Sequence, residues 1–239
     1  MEKIIHYCWF GKGKKNKKIL KCIDSWKKYL PNWKIKEWNE ENFDISSNKY
    51  VKQAYDLKKY AFVSDYVRMY ALFNEGGLYL DTDIEIRRNF EKELFNKKMI
   101  ISYELDNTVM TGLIYTVNNN PIIKEALEYY QDKEFIISNG KIDDIPNTMF
   151  FSEIIKNKGF FLNGKYIEKD RISIYPYDYF CAFDMKNSCY NITSNTYAIH
   201  HYDGSWQCGL NLLLSKFRRK IFGIIGRKNI TKIKNIIKK

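Results

Sequence analysis

The sequence contains no long hydrophobic run, because none of its apolar stretches approaches the 18 or so residues of a membrane-spanning helix. Its first residues, "MEKIIHYCWFGKGKKNKK", hold a short apolar run without a small-residue cleavage site, which argues against a signal peptide. The five cysteines are odd in number and lack C-x-x-C spacing, which argues against a disulfide framework or a cysteine zinc site. We therefore expect a protein of the reducing cytoplasm.

Internal repeats and Gly/Ser-rich linkers are also missing from the 239 residues. A chain of this length, with 45% hydrophobic residues, is large enough to bury a core. We therefore expect one domain over residues 1–206, followed by a separate C-terminal segment over residues 207–239.

Acidic residues are missing from the last 24 positions, where ten Lys and Arg lie between isoleucines. Because this segment, 216–239, accounts for most of the net charge of +12, the rest of the chain is nearly neutral. A basic amphipathic segment is typical of proteins that bind an anionic membrane surface. The alternative is a solvated C-terminus. Nucleic-acid binding is not expected, since no helix-turn-helix or zinc-finger pattern accompanies the charge.

Segments with strand character and segments with helix character alternate along the body of the chain. Strand patterns are "KIIHYCWFG", "WKIKEW", "KMIISYE" and "GLIYTV", and helix patterns are "NKKILKCIDSWKKYL", "NPIIKEALEYYQD" and "NTMFFSEIIKNKG". The segment "VKQAYDLKKYAFVSDYVRMYALFNE" indicates one or two helices that end at a Gly-Gly pair. The segment "ISIYPYDYFCAF" is interpreted as extended. Interleaved strands and helices predict an α/β fold.

The stretch "GGLYLDTDIEI", residues 76–86, places two aspartates in a strand-like run. If the run is one strand, Asp81 and Asp83 share a face with Tyr79 and Glu85. Two like charges on one face repel each other unless a positive charge lies between them. Mg²⁺ and Mn²⁺ supply such a charge, since they bind carboxylate oxygens and substrate phosphates. A lone D-x-D is a weak motif, however, and a solvated strand end is the alternative.

The helix pattern before this stretch, "KYAFVSDYVRMYALF", is apolar at nearly every position. Asp65 and Arg68 are among the few polar exceptions, and their i, i+3 spacing puts them on one face of the helix. A helix that is apolar all round is buried, and a buried ion pair is weak evidence for stability. The pair immediately precedes the D-x-D, so we interpret it as facing a ligand cleft. An intrahelical ion pair is the alternative.

Three blocks of the sequence together resemble the family 32 glycosyltransferases, the group with a D-x-D sugar-binding region. The blocks are "IIHYCWFG", "KYAFVSDYVRMYALFNEGGLYLDTDI" and "YAIHHYDGSW". That group includes capsular polysaccharide synthesis enzymes and initiating mannosyltransferases. The first two blocks also resemble the glucosyltransferase domain of the large clostridial cytotoxins. Three blocks in order are more specific than D-x-D alone.

The resemblance implies roles for the donor-binding residues at matching positions. Trp9 would stack on the nucleotide base, for which a planar aromatic face is suited. Ser64, Asp65 and Arg68 of the helix would hold the donor sugar, because Arg offers forked donors and Asp accepts from hydroxyls. Tyr79 would line the same pocket.

The resemblance also implies a metal site that contains the catalytic aspartates. Asp81 would contact ribose or sugar and the metal, and Asp83 would be the more direct ligand of Mn²⁺ or Mg²⁺. His200 would reach the metal or the diphosphate from across the site. The neighbouring His201 is the alternative, and strand alternation sends the two to opposite sides.

Further along the chain, Ser205 and Trp206 would close the donor pocket. The resemblance implies retention at the anomeric carbon, and a double displacement would need a carboxylate nucleophile. Glu104 and Asp106 follow a strand and are acidic, but nothing else in the sequence places them in the site.

The fold that the resemblance implies is a nucleotide-binding α/β sandwich of the GT-A type, with a mixed, mostly parallel central sheet. The implied activity is metal-dependent transfer of a hexose from a UDP- or GDP-sugar to a hydroxyl of a glycan or lipid-linked acceptor. We expect the protein to act in capsular polysaccharide or glycolipid synthesis. We also expect peripheral contact with the inner face of the cell membrane through residues 216–239.

Two other classes of protein remain open from the sequence. Two carboxylates and a histidine would also serve another divalent-metal phosphate enzyme, such as a nuclease or phosphotransferase. A non-enzymatic basic nucleic-acid-binding protein is the other class. Its affinity would fall steeply with salt and would survive loss of Asp83.

Overall fold

The computed structural model of the protein describes residues 3–137, 140–185, 187 and 189–202. The strands are β1 (Ile4–Cys8), β2 (Lys34–Trp38), β3 (Gly77–Leu80), β4 (Ile84–Ile86), β5 (Met99–Leu105), β6 (Thr108–Val109), β7 (Leu113–Thr116), β8 (Ile167–Lys169), β9 (Ile172–Tyr175), β10 (Phe183–Asp184), β11 (Cys189–Tyr190) and β12 (Ala198–His200). The helices are α1 (Lys17–Tyr29), α2 (Lys49–Asp56), α3 (Tyr60–Glu75), α4 (Glu91–Leu94), α5 (Pro121–Glu128), α6 (Asn147–Asn157) and α7 (Tyr177–Phe180).

The central sheet has the strand order β2-β1-β3-β7-β5-β9-β8, and β6 pairs with β5 beside this path. The strand β1 runs parallel to β2 and β3, and β9 runs parallel to β5. The strand β7 is antiparallel to both β3 and β5, and β8 is antiparallel to β9. Five of the seven strands on the path, all but β7 and β8, therefore point the same way. The predicted α/β class with a mixed, mostly parallel sheet is confirmed.

Helices cover both faces of this sheet, and the strands feed one core on each side. Along β3, Leu78 and Leu80 enter the core shared with α1, α4 and α7, whereas Tyr79 enters the core shared with α2, α3, α5 and α6. Side chains that alternate between two buried faces explain why the strand segments are nearly continuously apolar.

The connection from α3 to β3 depends on two glycines with positive φ. Gly76 has φ of 65° and closes the helix, since its N–H donates to the carbonyl oxygen of Leu72. A Cβ atom at Gly77 would lie 2.6 Å from the carbonyl oxygen of Ile4 on β1. Only glycine therefore permits both the left-handed backbone and the close approach of β3 to β1. This sharp connection places the buried helix α3 directly beside the strand that ends at Asp81.

Two predictions from the sequence are wrong in part. Residues 76–86 are not one strand, because β3 ends at Leu80 and β4 begins at Ile84. The strand β4 also leaves the central sheet and pairs with β12 instead. The segment predicted to be extended after Ile172 contains the short helix α7, which begins after Pro176. Proline fixes a φ that suits the start of a helix, and this local effect ended the strand.

The predicted C-terminal segment, 207–239, lies outside the described residues, as do Ser205 and Trp206. Among the helices that are described, none has the length and apolar character needed to cross a bilayer.

Candidate active site

Asp81 and Asp83 lie in the turn that joins β3 to β4. The backbone N–H of Ile84 donates to the carbonyl oxygen of Asp81 at 3.0 Å, which closes the turn. The N–H of Asp81 donates to the carbonyl oxygen of Gly112 at 2.8 Å, just before β7. The two carboxylates are thus placed by a turn at the end of a central strand, and not by alternation along one strand.

The strand β12 brings His200 to this turn. It runs antiparallel to β4, and His200 lies directly opposite Ile84. The Nε2 atom of His200 lies 3.1 Å from Oδ1 of Asp83. One ligand atom each from Asp81, Asp83 and His200 lies within 4.8 Å of the other two. The three side chains therefore converge on a common point, although the histidine is distant in the sequence.

The charge around His200 is strongly negative. Burial disfavours the charged imidazolium, but the carboxylates of Asp83, Asp81 and Glu104 outweigh this effect and raise the pKa of His200 above its usual value. Three carboxylates around one imidazole indicate a place where a positive charge is stabilised.

These three side chains fit a divalent cation. Carboxylate oxygens with one imidazole nitrogen are an ordinary ligand set for Mn²⁺, and Mg²⁺ accepts the carboxylates. Within the described residues, the buried Nδ1 atom of His200 has no hydrogen-bond partner. A buried nitrogen without a partner is costly, so a ligand at Nδ1 would remove a penalty, and Nε2 is the nitrogen that faces Asp83. Asp81, Asp83 and His200 could therefore hold the metal.

Arg68 supplies a positive charge on the other side of Asp81. Its Nη2 atom lies 2.9 Å from Oδ1 of Asp65 and 3.2 Å from Oδ1 of Asp81. The guanidinium carbon lies 4.8 Å from the centroid of the Tyr79 ring. The side chain of Arg68 is only 6% exposed, so this charge acts with little screening by water. The repulsion expected between the aspartates is thus relieved on one side by the protein itself.

The two oxygens of Asp81 have different surroundings. Oδ1 accepts a hydrogen bond from the Tyr79 hydroxyl at 3.0 Å and faces Arg68. Oδ2 points toward Gly112, where a Cβ atom would lie 2.7 Å from Oδ2 and 3.1 Å from Cε1 of His200. Gly112 therefore leaves the space in which Asp81 and His200 approach each other.

Thr111 and Asn147 complete a buried ring of hydrogen bonds around Arg68 that the sequence did not reveal. Arg68 Nη1 donates to the Thr111 hydroxyl at 3.0 Å, and that hydroxyl donates to Oδ1 of Asn147 at 2.8 Å. Asn147 Nδ2 then donates to Oδ1 of Asp65 at 2.8 Å. The region around Asn147 carries no motif, so no signal in the sequence would have found it.

Burial sets the protonation behaviour of Asp65. It raises the pKa of Asp65 to about 7, although Arg68 opposes the shift and Asp81 adds to it. A carboxyl group whose pKa lies near neutrality in a closed polar ring is typical of a ligand-binding position.

Trp9 follows β1 and lies at the same edge of the sheet as the Asp81 turn. Its side chain is partly buried, and its indole N–H donates to the carbonyl oxygen of Gly13 at 2.6 Å. Lys15 lies 5.3 Å from the ring centroid. The ring is therefore held by the loop after β1, and its predicted stacking on a base remains a prediction.

The other predicted residues have the following positions. Ser64 donates its hydroxyl to the carbonyl oxygen of Tyr60, one turn earlier on α3. Tyr79 is buried beside Arg68 and Asp81. His201 lies on the opposite side of the strand from His200, and its Nε2 atom lies 2.9 Å from Oε2 of Glu85.

Glu104, which the sequence did not assign to the site, lies next to it. Burial raises the pKa of Glu104, and His200 and a hydrogen bond from Tyr202 oppose that shift. The ring of Tyr202 stacks on His200 with a centroid distance of 3.8 Å. The wall opposite the D-x-D turn thus consists of Glu104, Tyr202 and His200.

Comparisons with known proteins agree with this geometry in part. Residues 16–105 match the family described as "Glycosyltransferase sugar-binding region containing DXD motif". This match includes α3 and the Asp81 turn but not the first and third sequence blocks. None of the curated proteins matches the sequence significantly.

Several solved structures have a distant likeness to the chain. "PaToxG Glycosyltransferase" is 19% identical over 66% of this chain and 68% of its own, with a TM-score of 0.48. A glycosyltransferase "involved in the glycosylation of the major capsid of PBCV-1" is 8% identical over 92% and 98%, with a TM-score of 0.47. Galactosyltransferase LgtC with donor and acceptor sugar analogs is 12% identical over 92% and 95%, with a TM-score of 0.43.

The family match confirms the resemblance over the residues that it covers. Residues 16–105 are therefore similar to the DXD-containing sugar-binding region of glycosyltransferases, and the D-x-D sequence within the match is Asp81-Thr82-Asp83.

Proposed function

We propose that the protein is a metal-dependent hexosyltransferase of the GT-A type. Its donor is a UDP- or GDP-sugar, and its acceptor is a hydroxyl of a glycan or lipid-linked glycan. The observation that carries this proposal is the convergence of Asp81, Asp83 and His200 beside the buried pair Asp65 and Arg68. A cation site next to a site for hydroxyl groups is the arrangement that a nucleoside-diphosphate sugar requires.

Different side chains would bind different parts of the donor. The ring of Trp9 would bind the base, since an aromatic face suits any planar base. Arg68 would donate to sugar hydroxyls or phosphate oxygens, and Asp65 would accept from hydroxyls. Thr111 and Asn147 fix the orientation of both groups through the hydrogen-bond ring described above.

Asp81, Asp83 and His200 would hold the cation, which supplies neutralisation of the diphosphate leaving group when it is bound. Tyr79 and Arg68 hold Oδ1 of Asp81, and this arrangement fixes the carboxylate before any ligand arrives. Such preorganised charges are effective in catalysis because they need no reorganisation during the reaction. We propose retention at the anomeric carbon from the family resemblance alone.

We also propose a peripheral position at the inner face of the cell membrane, in capsular polysaccharide or glycolipid synthesis. Its support is the sequence of residues 216–239, where ten cations lie between apolar residues. An enzyme that acts on lipid-linked acceptors benefits from such a segment.

The test is donor binding and hydrolysis with and without the metal ligands. In thermal-shift measurements with Mn²⁺, the correct UDP- or GDP-sugar should raise the melting temperature of the protein, since it binds the native state. The Asp83→Asn variant and excess chelator should abolish hydrolysis of the identified donor while the protein stays folded. The matched control is Asp132→Asn, which changes an exposed aspartate outside the site. Full activity in excess chelator would contradict the proposal.

A further inference from the structure

A cavity lies on the α4 and α7 side of the sheet, apart from the Asp81 turn. Its volume is about 360 Å³, which is within the size range of ligand-binding pockets. Aromatic side chains form much of its wall, namely Tyr166, Tyr175, Tyr179 and Tyr197. The cavity also contains Glu93, Arg88 and an asparagine, so it combines ring surfaces with planar polar groups.

The four tyrosine rings contact one another in turn. Tyr166 meets Tyr175 edge-on at a centroid distance of 5.0 Å, and Tyr175 meets Tyr179 at 5.2 Å with an angle of 47°. Tyr179 in turn meets Tyr197 at 6.3 Å and the same angle of 47°. Because neighbouring rings are tilted and not stacked, they do not cover one another's faces. Tyr166 is 45% exposed and Tyr179 is partly exposed, so a ligand can reach both rings.

The polar groups of the cavity are held in place but retain hydrogen-bonding capacity. The two carboxylate oxygens of Glu93 accept from the hydroxyls of Tyr175 and Tyr197, each at 2.7 Å. A carboxylate has about four lone-pair positions, so two further donors can be accepted. The guanidinium of Arg88 lies over the Tyr197 ring at 4.1 Å, and this contact leaves the N–H groups at its edge available to a ligand.

Backbone hydrogen bonds make the wall rigid. The N–H of Tyr197 donates to the carbonyl oxygen of Tyr179 at 2.7 Å. The carbonyl oxygen of Tyr197 accepts from the N–H groups of Arg87 at 2.7 Å and Arg88 at 3.3 Å. Tyr197 is thereby fixed between α7 and the end of β4. A preformed pocket of this kind loses little conformational entropy when it binds a ligand.

The chemistry of this wall suits a carbohydrate. The C–H face of a pyranose ring packs against aromatic rings, and its hydroxyls bind carboxylate, guanidinium and amide groups. An apolar ligand would leave Glu93 and Arg88 without new partners, and a charged ligand would be attracted by one of these two side chains and repelled by the other. A neutral sugar satisfies both kinds of surface.

The cavity lies at the other end of the β4–β12 pair from the D-x-D turn. Tyr197 precedes β12 and accepts from the N–H of Arg87 just after β4, whereas His200 pairs with Ile84 and lies beside Asp83. A sugar in the cavity would therefore belong to a different part of the substrate from the reacting group.

We propose that this cavity, which we name the tyrosine cavity, binds a neutral pyranose unit of the acceptor glycan, away from the hydroxyl that reacts. This assignment of the sugar to the acceptor rests on the proposed glycosyltransferase function. The binding of a sugar by the cavity does not depend on that function.

Saturation-transfer NMR with free sugars tests the proposal. The probes are the methyl pyranosides of glucose, galactose and mannose, together with maltose and lactose. We expect at least one probe to bind the wild-type protein, and to bind Arg88→Ala and Asn195→Ala at least tenfold more weakly. Both residues are exposed, so these variants should fold. Tyr179→Ala should weaken binding further, and Phe161→Ala, which changes an 80% exposed aromatic outside the cavity, should leave it unchanged.

A nucleotide competition separates the tyrosine cavity from the donor site. Adding UDP or GDP with Mn²⁺ should not displace the probe from the tyrosine cavity. The proposal would be overturned by any of three results. These are displacement of the probe by nucleotide, equal binding of the probe to wild type, Arg88→Ala and Asn195→Ala, and no binding of any probe. The same samples report nucleotide binding. If a sugar binds the cavity but no nucleotide binds, the glycosyltransferase proposal fails and the sugar site stands. If a nucleotide binds but no sugar does, only the cavity proposal fails.

Discussion

A single added methyl group at Gly112 should weaken metal binding without changing any metal ligand. Gly112 does not have a positive φ, so the backbone accepts alanine. The new Cβ atom would lie 2.7 Å from Oδ2 of Asp81 and 3.1 Å from Cε1 of His200. To reach ordinary van der Waals contact, the Asp81 carboxylate must retreat by roughly 0.7 Å. Such a retreat opposes the hydrogen bond and the ion pair that hold Oδ1.

We expect Gly112→Ala to bind Mn²⁺ about 10–100-fold more weakly, which is the usual effect of changes next to metal ligands. This loss corresponds to about 1.4–2.7 kcal/mol. The measurement is titration of Mn²⁺ by electron paramagnetic resonance, which observes free metal and needs no substrate. The metal-free variant should unfold cooperatively at a modestly lower temperature, because the displaced carboxylate loses part of its contact with Tyr79 and Arg68. Gly13→Ala is the matched control, because its Cβ atom would meet no atom within 4 Å. Equal Mn²⁺ affinity in both variants and wild type would show that the cation does not lie between Asp81 and His200.

Three further predictions concern the base site, the buried acid and the tail. Trp9→Ala should weaken nucleotide binding by about 1–3 kcal/mol in calorimetry, and unchanged affinity in a folded variant would return Trp9 to a packing role. Because burial raises the pKa of Asp65 to about 7, the folded state binds a proton that the unfolded state has lost between about pH 4 and pH 7. The melting temperature of wild type should therefore fall relative to that of Asp65→Asn as the pH rises from 5 to 8, and a constant difference would refute the shift. Full-length protein should sediment with anionic vesicles at low salt and be released at high salt, whereas protein truncated after Ser215 should not bind but should still hydrolyse the donor. Equal binding with and without the tail would leave the membrane proposal without support.

Local patterns in the sequence predicted most of the elements around the site. The strand character of β1, β2, β5 and β7 and the apolar spacing of α1 and α5 depend on near neighbours in the chain, and all appear in the structure. The turn at Asp81 was missed for a physical reason. Apolar residues on both sides of the D-x-D continue the β pattern, but β4 pairs with β12 and not with the central sheet. Strand pairing across such a distance in sequence leaves no local signal.

The site was predictable where one segment supplies several groups. Asp65 and Arg68 share one face of α3, and the turn after the following strand, β3, supplies Asp81 and Asp83. One short stretch of sequence therefore contained four of the candidate residues. Asn147 could not be found in this way, because its role depends on side-chain hydrogen bonds from the first residue of α6 to Asp65 and Thr111, which are distant in the sequence. Buried polar networks of this type are set by tertiary geometry.

The charges around the D-x-D turn are predominantly negative. Asp81 is balanced on one side by Arg68, whose charge is shared with Asp65. The balance is incomplete, because one guanidinium faces two carboxylates while Asp83 and Glu104 surround His200 on the other side. A monovalent charge on His200 would leave excess negative charge, and a diphosphate would add more. A divalent cation bound by Asp81, Asp83 and His200 would offset that excess. Under the proposed function, the Asp81 carboxylate would link the two parts of the donor site, because Oδ1 faces Arg68 and Oδ2 lies toward Gly112 and His200.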